Sequence, residues 1–132
     1  MAKYANDIIM DTGLQVIKTG IASYGPCNKM VACSAQPTTF TEANATYALA
    51  DAAMSGTDFT LANGDTSGRK LTVGAKPSQL IDATGTATHV ALVDTANSVL
   101  LYVTTCTSQS LTANGSNTVS FPAWDIEIAD PT

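Results

Sequence analysis

The stretch LANGDTSGRKLTV, from Leu61 to Val73, has the glycines, hydroxyls, acid and paired basic residues of a loop that holds phosphate or a cation. A P-loop places four residues between its first glycine and a Gly-Lys-Ser/Thr sequence, and a helix follows it. Here three residues separate Gly64 from Gly68, and no Gly-Lys-Ser/Thr follows. An EF-hand calcium loop requires a glutamate at its twelfth position, which is also missing. Asn-Gly and Asp-x-Ser-Gly are ordinary turn chemistry, so the sequence predicts a hairpin loop.

One histidine and three cysteines are the other candidates for catalysis or metal binding. The spacing between Cys27 and Cys33 matches no zinc-binding pattern. A thiol–imidazole site would need His89, Cys33 and Cys106 to converge through folding, because no local motif joins them. The 11 acidic residues are scattered without the close pair that glycosidases use. The sequence therefore predicts buried, reduced cysteines, no catalytic, cofactor or metal site, and a protein that is not an enzyme.

The charge composition narrows the possible partners. The chain has 6 basic and 11 acidic residues, a net charge of −5, and only 13% of its residues are charged. Such a surface repels nucleic acid, because phosphate recognition requires clustered Lys and Arg. The first residues lack the pattern of a secretory signal, and no apolar run reaches the length of a membrane span. We therefore expect no nucleic-acid partner, no membrane partner and a reducing compartment.

One helix is predicted near the start of the chain, over about residues 7–19. Asn6 can cap its first turn, and Gly20 is placed to end it. One apolar stripe recurs at helical spacing and consists of Met10, Leu14, Ile17 and Ile21. Ile8 and Ile9 lie off this stripe, so they are predicted either to be covered on a second side of the helix or to contact a partner.

The remainder, about residues 28–129, is predicted to be rich in strands. About seven short strands alternate with turn residues, and TANS at 95–98 is predicted to be a hairpin connection. The segment TEANATYALADAAMSG favours neither helix nor strand. The predicted fold class is α+β: a single domain, 1–132, built as a mainly antiparallel β-sandwich or flattened barrel with the N-terminal helix packed against it.

Five segments cover nearly the whole chain: YANDIIMDTGLQVI, VACSAQPTTFTEA, DFTLANGDTSGRKLTV, DATGTATHVALVD and LLYVTTCTSQSLTANGSNTVSFPAWDIEIADP. In these segments the sequence resembles small virion structural proteins of tailed bacteriophages, and in particular their head decoration (cement) proteins. The segments contain no catalytic motif, so the resemblance carries over no functional residues.

The resemblance implies a capsid decoration protein that binds the outer surface of the virion head after assembly in the host cytoplasm. Its expected partners are the major capsid protein and further copies of itself, in a trimer or a similar cluster. The alternative is a tail-associated or receptor-binding β module, in which loops such as TANGSN at 112–117 would meet a receptor.

Seven residues are predicted to contribute to a partner interface. The first group is the N-terminal set Lys3, Tyr4, Ile8 and Ile9. The second is Arg69 and Lys70, two of the six basic residues, expected together on one loop tip where they would pair with an acidic patch or remain solvated. The last is Trp124, because tryptophan is enriched at interface hot spots; core packing is its alternative role.

Overall fold

The computed structural model describes residues 3–132, and within them it contains one α-helix and nine β-strands. The α+β class with one N-terminal helix is confirmed. The helix α1 spans Asp7–Thr19; the strands are β1 Lys29–Cys33, β2 Ala48–Ala53, β3 Phe59–Asn63, β4 Arg69–Val73, β5 Lys76–Leu80, β6 Gly85–Asp94, β7 Val99–Leu111, β8 Thr118–Phe121 and β9 Trp124–Ile128. No helix within the described residues is long and apolar enough to cross a bilayer.

The ends of α1 follow from local chemistry. The Asn6 side chain accepts a hydrogen bond from the Ile8 amide at 2.9 Å, as expected for an N-cap. Gly20 has a φ of +74° and ends the helix, and its amide still donates to the Val16 carbonyl. Ile21 lies beyond this stop and is exposed, so its predicted place in the buried stripe is wrong.

The strands pair antiparallel in three sheets, with the orders β2-β1-β6-β7, β3-β4-β9 and β5-β8. The α1 helix packs against β3 and β4. The larger core takes side chains from α1 and from all three sheets, and includes Leu14, Ile17, Met30, Phe59, Leu71, Leu92, Phe121 and Ile126. Packing between the sheets therefore supplies most of the apolar burial that holds the fold together.

The central strands β1 and β6 of the four-stranded sheet carry buried residues on both faces. Val31 and Cys33 of β1 point away from the larger core, into a second cluster with Ala91 and Val93 of β6. The segment before β2 covers this cluster with Phe40, Ala43 and Tyr47. This segment contains a π-helical turn at Glu42–Thr46, so the stretch that favoured neither helix nor strand forms first a turn and then β2.

Candidate functional site

The hairpin predicted for the glycine-rich stretch is confirmed. Strands β3 and β4 pair through Asn63 and Arg69, and the Gly64 amide donates to the Gly68 carbonyl at 2.9 Å. Gly68 has a φ of +71°, and a β-carbon there would lie 1.9 Å from the Ile128 carbonyl oxygen. Gly68 is therefore required for a turn that lies directly against β9.

Arg69 is the first residue of β4 instead of part of a loop tip, which corrects the predicted placement. Its Nε lies 2.8 Å from Asp11 Oδ1, and its Nη1 also donates to Asn63. The hydrogen bond with Asp11 is the main cause that raises the pKa of this guanidinium. The Arg69 side chain thus ties α1 to the β3–β4 hairpin and is already paired within its own chain.

Lys70 is the second residue of β4 and also forms ion pairs within its own chain. Its Nζ lies 2.7 Å from Asp65 of the hairpin loop and 3.3 Å from Asp125 of β9. These carboxylates, Asp65 first, raise the pKa of the ammonium group. Both basic residues therefore have intramolecular partners, and pairing with an acidic patch on a shell would require those partners to be exchanged.

The N-terminal group predicted for an interface is exposed in the structure. We use the name N-terminal surface for Lys3, Tyr4, Ile8 and Ile9. Tyr4 is 83% exposed, and Ile8 and Ile9 are 71% and 70% exposed, although the same helix buries Met10 and Leu14. Single exposed apolar residues are ordinary, but neighbouring ones at one end of a helix are typical of a contact surface. The two isoleucines are therefore left largely exposed by the part of the chain that the structure describes.

Trp124 is the first residue of β9 and lies beside β7, the last strand of the four-stranded sheet. Its ring stacks on Tyr102 of β7, with centroids 5.9 Å apart and an interplanar angle of 28°. The ring is partly buried against the larger core, and its Nε1 has no hydrogen-bond partner among the described residues. Trp124 thus combines partial core packing with a position at an open groove.

That groove runs between β7 on one side and β8 and β9 on the other. We call it the β7–β9 groove. It consists of clefts of about 390 and 190 Å³ that share Cys106, Thr107, Phe121 and Pro122, and of a further cleft of about 470 Å³ beside α1. None of the interface residues predicted from the sequence lies in β7, the strand that forms one side of this groove. The absence of charged residues from Thr95 to Trp124 is the sequence signal that could have revealed it.

The sheet places Cys33 opposite His89 on neighbouring strands, and His89 opposite Thr105. The Cys33 sulfur, however, lies in the second core near the carbonyls of Val31 and Ala43. The His89 Nδ1 is hydrogen-bonded to Thr88 at 2.8 Å. No hydrogen bond in the described part of the chain joins a thiol to this imidazole.

The thiols lie in surroundings that disfavour the reactive anion. Burial raises the pKa of Cys27 and of Cys33 to about 11, and it also raises the pKa of Cys106. Between residues 3 and 132, no group of three or more His, Cys, Asp or Glu side chains is arranged to hold a metal ion.

No protein-family model, curated protein or solved structure matches this chain.

Proposed function

We propose that this chain is a non-enzymatic decoration protein that binds the outer surface of a tailed-phage head and stabilises contacts between major capsid subunits. The observation that carries the proposal is the N-terminal surface, where Tyr4, Ile8 and Ile9 are the most exposed large apolar side chains of the described residues. Burying an isoleucine side chain contributes about 1.5–3 kcal/mol, so each copy of this small surface can contribute part of the binding energy of a larger attachment.

The cluster of copies expected from the resemblance strengthens such a contact. If several chains associate, each contributes one N-terminal surface to the shell, and the later contacts form within an already bound complex. Weak single contacts then give strong attachment and bridge neighbouring capsid subunits. The low fraction of charged residues also limits the desolvation cost of packing chains together.

The thiol geometry supports the non-enzymatic part of the proposal. A cysteine nucleophile requires a lowered pKa or an adjacent base, whereas burial raises the pKa of all three cysteines. The one imidazole is hydrogen-bonded to a threonine hydroxyl instead of a thiol. Thiols with raised pKa values and an imidazole bonded to a neighbouring hydroxyl are typical of residues that pack in the structure instead of taking part in catalysis.

The first experiment measures copy number and position on purified virions, by quantitative gel analysis and by gold labelling of the chain. Hundreds of copies on the head are expected for a decoration protein. A few copies at the tail would overturn the proposal and support the receptor-binding alternative. The exposed loop at 112–117, ordered by hydrogen bonds from the Ser116 and Asn117 amides to the Asn114 side chain, would then be the surface to test.

The second experiment tests the N-terminal surface itself. The double variant Ile8→Ser, Ile9→Ser removes two exposed apolar side chains and is expected to weaken binding to undecorated heads by about tenfold or more. The matched control is Leu80→Ser, which removes a 48%-exposed apolar side chain in β5. Equal binding of the double variant and the wild type would exclude this surface as the docking site.

A further inference from the structure

Among residues 3–132, the outer edge of β7 has no strand partner. This strand spans Val99–Leu111 and lies at the end of the four-stranded sheet, where it pairs with β6 on its inner side. No backbone hydrogen bond from another segment reaches it within the described residues. Its regular part is Tyr102–Thr105, which pairs residue by residue with β6, and irregularities in the register lie on either side of that part. An edge of this kind presents amide and carbonyl groups to any strand that approaches it.

The other strand edges are covered, short or carry features that discourage pairing. At the opposite end of the same sheet, the Leu49 carbonyl of β2 accepts hydrogen bonds from the amides of Asp82 and Ala83. Strand β9 carries two acidic residues, and β5 contains Pro77. Strands β3 and β8 have only five and four residues. Natural proteins protect edges by these means, and β7 is the longest strand and has neither charge nor proline.

The distribution of charge along the chain favours a second copy of this chain as the partner of the β7 edge. The whole chain has a net charge of −5, so two copies repel one another over most of their surfaces. From Thr95 to Trp124, however, there is no Asp, Glu, Lys, Arg or His, and this stretch supplies β7, β8 and most of the lining of the two clefts that share Cys106. A second copy brings the same uncharged, hydroxyl-rich strand, and threonine and serine side chains pair well across antiparallel strands.

We propose that β7 pairs antiparallel with β7 of a second copy across a two-fold axis at Thr104, so that Thr104 lies opposite its own copy. The two four-stranded sheets then join into one continuous sheet, and each strand satisfies the other's unpaired backbone groups. The inference refines the self-association in the proposed function, and it replaces the expected trimer by a two-fold pair. The N-terminal surface lies before and at the start of α1, which packs against β3 and β4 and is not part of the sheet that the pairing extends.

The test uses the full chain and the variant Thr105→Glu. Thr105 is exposed, and the pairing places the two introduced carboxylates within about 10 Å of one another, roughly the Debye length at moderate salt. Light scattering coupled to size exclusion is expected to give twice the 13.6 kDa chain mass for the wild type. The variant is expected to dissociate about tenfold or more readily. Thr60→Glu, at an exposed position of β3, is the matched control and is expected to remain paired.

A monomeric wild type, a pair that Thr105→Glu leaves intact, or a pair disrupted by Thr60→Glu would each overturn the inference. Hydrogen exchange on the wild type provides a measurement that does not depend on a variant. The amides of Tyr102–Thr105 that point away from β6 are expected to lose protection on dilution, while those bonded to β6 and those of β1 keep theirs. Unchanged protection of the outward amides would contradict the pairing. A wild-type monomer that still binds heads would overturn only this inference, whereas a pair that binds no heads would overturn only the proposed decoration function.

Discussion

At the scale of single residues, the three cysteines differ in their burial and surroundings, although the sequence leads to the same prediction for all three. The Cys27 sulfur lies 3.4 Å from the Lys29 carbonyl and is almost fully buried. Cys33 is fully buried in the second core. Cys106 is partly exposed and lines the β7–β9 groove. Accessibility therefore separates Cys106 from the other two, and burial raises the pKa of all three.

This difference predicts selective thiol labelling. At about pH 8, near the ordinary pKa of a thiol, a disulfide reagent is expected to modify one cysteine of the native protein and all three in concentrated guanidinium. Mass spectrometry of the labelled peptides should place the native label on Cys106. Cys106→Ser is the control and should leave the native protein unlabelled. Equally fast labelling of Cys27 or Cys33 would show that their burial is not maintained in solution.

At the scale of elements, two turn glycines can be compared: Gly68 between β3 and β4, and Gly115 between β7 and β8. Gly68 and Gly115 both have positive φ, at +71° and +83°. A β-carbon at Gly68 would clash with the Ile128 backbone, whereas one at Gly115 would meet nothing within 4 Å. Gly115→Ala is therefore expected to cost only about 1–2 kcal/mol, the cost of a left-handed conformation. Gly68→Ala carries that cost and also has to move β9 away from the hairpin.

Urea unfolding of both variants measures this difference. The free energy of unfolding should fall further for Gly68→Ala than for Gly115→Ala, with both below the wild type. Equal losses would mean that the loop does not press against β9 as described. The comparison also separates the role of Gly68 in chain reversal from its role in close packing.

The elements that the sequence predicts well are those determined by neighbouring residues. The Asn6 cap, the apolar stripe and Gly20 fix the helix, and the turn residues between β3 and β4 fix the hairpin. The order of strands depends on contacts between distant segments, so it could not be read from local patterns. For the same reason Arg69 and Lys70 were expected on a loop tip, although the register with β3 places both in β4. Ile8 and Ile9 could be singled out because they lie off the helical stripe.

At the scale of the whole molecule, ion pairs join elements that are far apart in sequence. Among the described residues, four of the six basic side chains take part: Lys29 pairs with Asp51, Arg69 with Asp11, Lys70 with Asp65 and Asp125, and Lys76 with Asp58. They link α1 to β4, β1 to β2, β4 to β9, and β5 to the turn before β3. The few basic charges of an acidic chain are thus mostly engaged in holding its own elements together.

This arrangement predicts how stability depends on pH. A hydrogen bond from Thr72, together with Lys70, lowers the pKa of Asp125. Burial raises the pKa of Asp58, but the hydrogen bonds from Lys76 and the Ser55 amide outweigh it and the net pKa is lowered. Because both folded-state pKa values lie below the unfolded value of about 3.9, the stabilisation is fully present above that value. It is lost as the pH falls through the folded-state values.

Thermal unfolding across the acidic range measures this loss. The midpoint should change little between neutral pH and about pH 5 and should fall below about pH 4. The double variant Asp58→Asn, Asp125→Asn should start lower at neutral pH and fall less steeply in acid, because two of the titrating carboxylates are gone. Asp82→Asn, at an exposed carboxylate with no side-chain hydrogen bond in the described residues, should follow the wild-type curve. An acid dependence as steep in the double variant as in the wild type would show that other carboxylates govern acid unfolding, and that these two links between elements contribute little to it.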